Sequence, residues 1–184
     1  MFKRTFPTGS LGEEGDNTMS EYNIGFSEKL LDAARFVAKD GLNSVDAVRT
    51  VLYLSSLASE IALKALLEKA RKPIEDIKAR GHNLSGLLVD LGKCQIRAEV
   101  VKGSLRWVPA IRLWSVTVDN RFSDATVGKL LTGEEHGASK YPNELRYGDY
   151  VKDYPPELKL KAARALFDWA LKHWDDIRLL STTP

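Results

Sequence analysis

Four groups of side chains in this sequence have types and spacings that suit chemistry. Glu60 and Lys64, inside "SEIALK", stand four residues apart, the order that favours an ion pair along one helix face. They lie among Leu57, Ile61 and Leu63 on a stretch apolar nearly all round, so partial burial is expected, and buried charges must be matched. The pair is then either a structural polar network or one in which Glu60 reaches a third partner. His82, in "ARGHNLSGLLVDLG", comes directly before Asn83, a good N-cap for the leucine run that follows. Two readings of it are open. The imidazole packs on the fold and bonds a backbone group or a carboxylate such as Glu60, or it meets a ligand at a helix start, where phosphate is favoured and Lys64, Arg80 and Arg146 add positive charge.

The third group is "KYPNELRYGDY", with Lys140, Tyr141, Arg146, Tyr147 and Tyr150. Cations beside flat rings suit a phosphate and a stacked base. The same residues also suit the anchoring of a long loop, with Arg146 paired to Glu144 or Asp149. The fourth group, Glu134, Glu135 and His136, lacks a metal-ligand pattern, and neither metal nor cofactor is expected. "GSLGEEG" lacks the Gly-Lys-Ser/Thr ending of a phosphate-binding loop, and no Gly-x-Ser-x-Gly elbow occurs. The single cysteine, Cys94, follows a predicted helix end, the wrong terminus for activating a thiolate.

These groups need elements to position them. Phe26, Leu30, Ala33/Ala34 and Val37 recur at helical spacing, with Ser27 as a possible N-cap and Gly41 as a stop. From Ser44 to Lys72 there is neither glycine nor proline, and Val48, Val51/Leu52, Ser55, Ala58/Ser59, Ala62 and Leu66 predict a long central helix that Pro73 ends. Leu84, Leu87/Leu88 and Leu91 predict a short helix stopped by Gly92. Pro109 to Phe122 reads as helix from Ile111, Trp114, Val118 and Phe122, whereas Gln95 to Val101 remains open to a strand. Residues 123 to about 156 lack a sustained period and read as a long ordered loop. Pro156 then opens a last amphipathic helix through Leu160, Ala163, Leu166/Phe167, Ala170 and Trp174. Trp107, Trp114, Trp169 and Trp174 are expected in the core. The fold class is therefore all-α: an up-and-down bundle of four to five helices over residues 21–180, with a long ordered loop before the last helix and a flexible tail at 1–20, where Met19 is an alternative start.

Composition narrows the class. The 184 residues carry 27 basic and 25 acidic side chains for a net charge of +2, mixed along the chain, unlike a nucleic-acid-binding tail. One cysteine allows no internal disulfide, which fits a cytoplasmic location. Neither a secretory signal nor an uninterrupted membrane span is read, so no membrane partner is expected.

A central helix with "SSLASEIALKALLEKA", a turn with "GHNL" opening a leucine helix, the stretch "KYPNELRY" and a closing amphipathic helix together resemble a HEPN domain, over about residues 25 to 178. The resemblance implies a small helical bundle, of the kind found beside nucleotidyltransferases, and a homodimer. In the family's ribonuclease branch an Arg precedes a His by four to six intervening residues. None of His82, His136 and His173 has such an arginine; the positions before His173 hold Leu166, Phe167 and Asp168. The resemblance is thus to the non-catalytic branch, with no catalytic residue assigned. It implies a module that binds a nucleotide, another anionic ligand or a nucleotidyltransferase-type partner at a helix-end pocket, with His82, Lys64, Glu60, Arg146, Tyr147 and Tyr141 as its residues. The alternatives are a diverged toxin-like protein of a toxin-antitoxin type that binds or cleaves RNA, and a homodimeric structural scaffold.

Overall fold

A computed structural model describes residues 20–122, 124–136, 138–147 and 154–180. The described chain is mostly helical with a small antiparallel sheet. Helices α1 (Ile24–Asp40), α2 (Val45–Lys69), α3 (Ile74–Ala79) and α4 (Leu84–Gly92) lead into strands β1 (Cys94–Val101) and β2 (Ser104–Pro109). Short helices α5 (Val127–Thr132) and α6 (Asn143–Tyr147) precede the long α7 (Pro156–Lys172) and strand β3 (Ile177–Leu179).

α2 is the element on which α1, α4 and α7 pack. By length and apolar composition alone it would cross a membrane, but 72% of its most apolar 18-residue window is buried by the rest of the chain. Leu63, Leu66 and Leu67 are fully buried, each contributing about 1.5–3 kcal/mol. Small residues let α1 come close: Ser27 Oγ donates to the Ala58 carbonyl at 2.8 Å, while Ser56 and Ser59 bond back to the carbonyls of Leu52 and Ser55. Ser27 is therefore a buried contact rather than an N-cap, and Asn23 caps α1 through the Gly25 N–H at 2.8 Å. α2 ends before Pro73 in a double bond pattern, Lys72 N–H to Leu67 O and Arg71 N–H to Glu68 O, with Arg71 at φ 66°.

The sheet corrects the all-α expectation. Its order is β2-β1-β3, antiparallel throughout, with Ile96 paired to both Val108 and Ile177. The segment left open at Gln95–Val101 is a strand because Ile96, Val100 and Val101 favour pleated backbone, and Gly103 at φ 81° turns the hairpin. The predicted helix over Pro109–Phe122 shrinks to a six-residue 3-10 helix, Ala110–Ser115. Beyond it the β-branched run Val116-Thr117-Val118 goes extended, Thr117 bridges to Thr126, and Asp119 locks the next turn through the Arg121 N–H and guanidinium. The long loop is corrected too. Thr126 caps α5, single 3-10 turns cover Glu134–His136 and Ala138–Lys140, and α6 follows. These pieces are too short to show a period in sequence. Trp107 is 37% exposed on β2 rather than core. The proposed tail, apart from Ser20, lies outside the described residues, as do Asp149 and Tyr150. Ser20 to Tyr22 are held on α2 by Glu68, which accepts from the N–H groups of Glu21 and Tyr22.

Candidate functional site

The segment Arg80 to Asn83 shows how sequence places a histidine. Gly81 ends α3 at φ 54°, its N–H donating to Lys78 O at 2.9 Å, a left-handed position that glycine takes without a Cβ clash. Asn83 Oδ1 then caps α4 by accepting from Gly86 N–H at 2.8 Å. His82 is pinned between the two devices and turns toward α2.

There it meets Glu60. The carboxylate is 3% exposed and takes three side-chain donors: Lys64 Nζ on Oε1 at 2.8 Å, and on Oε2 both His82 Nδ1 at 2.9 Å and the Tyr141 hydroxyl at 2.5 Å. Burial pushes the Glu60 carboxyl up, but the donors from Lys64, Tyr141 and His82 outweigh it and hold the group below its ordinary 4.5. Glu60 is therefore an anion that only accepts, so His82 Nδ1 carries its proton and donates. A neutral His82 ring then presents Nε2 as an acceptor, and a protonated one presents it as a donor. Burial and the Glu60 contact push the Tyr141 phenol far up, so it remains a donor. Its ring meets His82 edge-on, centroids 6.0 Å apart at 89°, and lies 6.0 Å from Tyr53. Lys64 is sandwiched: its Nζ sits 5.3 Å from the centroid of the Tyr22 ring.

A cleft of about 480 Å3 opens over this network, bounded by Arg80, His82, Asn83 and Ser85 on one side and by Thr132, Glu134, Ser139 and Tyr141 on the other. The His82 side chain is 53% exposed there, against 3% for Glu60 beneath it. Arg80 is steadied by Asp90, buried at 3%, through Nε at 2.7 Å and Nη2 at 2.9 Å. Burial raises the Asp90 carboxyl, yet Arg80 and Lys93 bring it below its usual value.

The six residues expected to form one pocket thus divide. Glu60, Lys64, His82 and Tyr141 come together, but Lys64 lies under the network and does not line the cleft. Arg146 and Tyr147 bound a separate cleft of about 310 Å3 with Arg49, Thr50 and Tyr53. Arg146 is bonded through Nε at 2.8 Å to the Tyr53 hydroxyl, rather than to Glu144, which pairs with Lys140. Tyr147 is 81% exposed. Tyr53 connects the two clefts through Tyr141 and was missed in the sequence. Its signal was its place seven residues before Glu60, two turns along the same face of α2. Among the described residues no group of three or more His, Cys, Asp or Glu side chains is placed to hold a metal. Cys94 is buried in β1, where burial pushes its thiol up to about 11.

Comparison of the chain with protein-family profiles, with curated proteins and with solved structures gives no significant match.

Proposed function

We propose that the protein is a HEPN-like binding module whose cleft beside His82 takes a small anionic ligand of the nucleotide type, and that it acts by recognition rather than by catalysis. α1, α2, α4 and α7 would be the helical bundle of that family, with the sheet as an addition. One observation carries the reading: a half-exposed imidazole at the mouth of a cleft, its inner nitrogen fixed by a buried, triply bonded carboxylate. The second ring nitrogen has no partner among the described residues and opens to that space. The outer nitrogen accepts from a hydroxyl when the ring is neutral and donates to a phosphate when it is charged, and a nucleotide offers both groups. The hydroxyls of Ser85, Thr132 and Ser139 and the steadied Arg80 border the same space.

Thermal melting with a panel of nucleoside mono-, di- and triphosphates, repeated on His82→Ala, tests this. A ligand that binds only the folded state raises the melting temperature with its concentration. The rise is expected for the natural chain and not for the variant, whose unliganded melt should fall by about as much as loss of one donor to Glu60 costs, about 2 kcal/mol. No rise with any nucleotide, together with a variant melting much lower, would make His82 a piece of helix-start architecture.

A homodimeric scaffold is the second reading, favoured by Phe26 and Phe36, 51% and 75% exposed on α1. It predicts a melting temperature that rises with protein concentration and no response to nucleotides.

A further inference from the structure

The sheet and the residues that flank it are chemically unlike the rest of the chain. Between Lys93 and Arg112 there are five basic residues and one acid, Glu99, in a protein whose overall charge is only +2. That acid accepts from the Gly103 N–H at the hairpin turn. Lys93 is paired with Asp90, but among the described residues Arg97, Lys102 and Arg106 have no acidic partner.

Register places the important groups on one side. Arg97 pairs directly with Trp107, and Gln95 pairs with Arg178 of β3. Arg178 reaches across β1: it bonds Gln95 Oε1 through Nη2 at 3.1 Å, and its guanidinium carbon lies 3.8 Å from the Trp107 ring centroid. The indole is 37% exposed, and Leu105, two residues along the same face, is 57% exposed. The face therefore offers a flat aromatic ring with a guanidinium already stacked on it, beside Arg97 and, at the hairpin turn, Lys102, with Glu99 as its one acid; Arg106, opposite Ala98, lies on the other face.

We propose that this face binds single-stranded nucleic acid, the phosphates held by Arg97 and Lys102 and a base stacked at the Trp107–Arg178 platform. A strand supplies both things the face lacks, negative charge for the cations and a flat ring for the aromatic platform. An acidic peptide brings a ring to the platform only where it carries an aromatic residue, whereas every nucleotide of a strand brings one beside its phosphate. The site is independent of the His82 cleft, on other elements and with other residues.

The test uses the full chain and a fluorescently labelled twelve-nucleotide oligouridylate, read by anisotropy across a salt series and by tryptophan quenching. Binding is expected at low salt, with quenching. Arg97→Ala/Lys102→Ala removes cations whose side chains have no partner among the described residues, and should lower the slope of log K against log salt by about 1.4, some 0.7 for each phosphate contact. Trp107→Ala should weaken binding roughly tenfold and abolish most of the quenching, and Trp107→Phe should restore much of the affinity. Base-free polyphosphate should compete poorly with the oligonucleotide on the natural chain and equally well on Trp107→Ala. Absence of binding at low salt overturns the proposal. So does an equal loss from Arg35→Ala/Lys39→Ala on α1, or Trp107→Ala binding as tightly as the natural chain.

Discussion

Replacing Glu60 by glutamine keeps the shape of the side chain and removes its charge. Oε2 serves both His82 and Tyr141, and an amide oxygen can still accept there, so those two bonds weaken without vanishing. Lys64 is affected differently. Its ammonium, 9% exposed and 2.8 Å from Glu60 Oε1, would face an amide instead of an anion. Breaking a buried pair from one side costs about 3–5 kcal/mol because the remaining charge is left without compensation. For a chain of this length each kcal/mol shifts the melting temperature by about 2–4 °C, so Glu60→Gln should melt on the order of 10 °C lower. Urea unfolding should show the midpoint falling with an unchanged slope. Adding Lys64→Met removes the orphan charge and should recover part of the loss, giving a coupling of up to about 3 kcal/mol. Acid gives a second reading. The folded Glu60 carboxyl lies below its ordinary 4.5, so its contribution is complete above that pH and is lost as pH falls through the folded value. The gap between the natural chain and Glu60→Gln should therefore narrow below pH 4.5. A loss under about 1 kcal/mol, or a gap that does not narrow in acid, would refute the reasoning.

Tyr141→Phe removes one of the three donors and should destabilise by about 2 kcal/mol; acid unfolding should then begin at higher pH, which circular dichroism against pH would show. Lys159 is 4% exposed with its Nζ on the Leu130 carbonyl at 2.8 Å, and burial brings its ammonium down to about 8 from 10.5. The unfolded chain thus binds more protons between those values, so stability contributed by this site should rise from pH 8 to pH 10.5 by about 3 kcal/mol, and in Lys159→Met that component of the urea midpoint should disappear. At Gly128 a Cβ would stand 2.8 Å from Trp114 Cε3 and 3.0 Å from the Trp114 carbonyl, so Gly128→Ala should cost about 1–3 kcal/mol by overpacking, with a shift in tryptophan emission.

The sequence carried the long elements and the local devices. The 3.6-residue pattern of Val48 to Leu66 located α2, Asn83 announced the cap of α4, and Pro156 opened α7, because each signal is local and repeats over several turns. The Glu60–Lys64 spacing and the suggestion of His82 against Glu60 rested on the same local logic. Tyr141 is 81 residues from Glu60 in the chain, and its hydroxyl reaches the carboxylate only through tertiary packing. The division into two clefts was hidden for the same reason, since Arg146 and Tyr141 are close in sequence yet bound different spaces. Trp107 shows the opposite failure: composition favours a tryptophan in the core, but an antiparallel strand sends alternate residues to the solvent side. Nothing in the local sequence said which face would be covered.

The state of His82 itself tests the account most directly. Two-dimensional 15N imidazole spectra of the protein, with the His82 signals assigned by their absence in His82→Ala, report which ring nitrogen carries the proton and whether the other meets a ligand. Nδ1 is expected to carry a proton while Glu60 accepts from it, and the Nε2 resonance to move when a bound nucleotide is added. A neutral ring protonated at Nε2, or an Nε2 resonance indifferent to every nucleotide, would contradict the account.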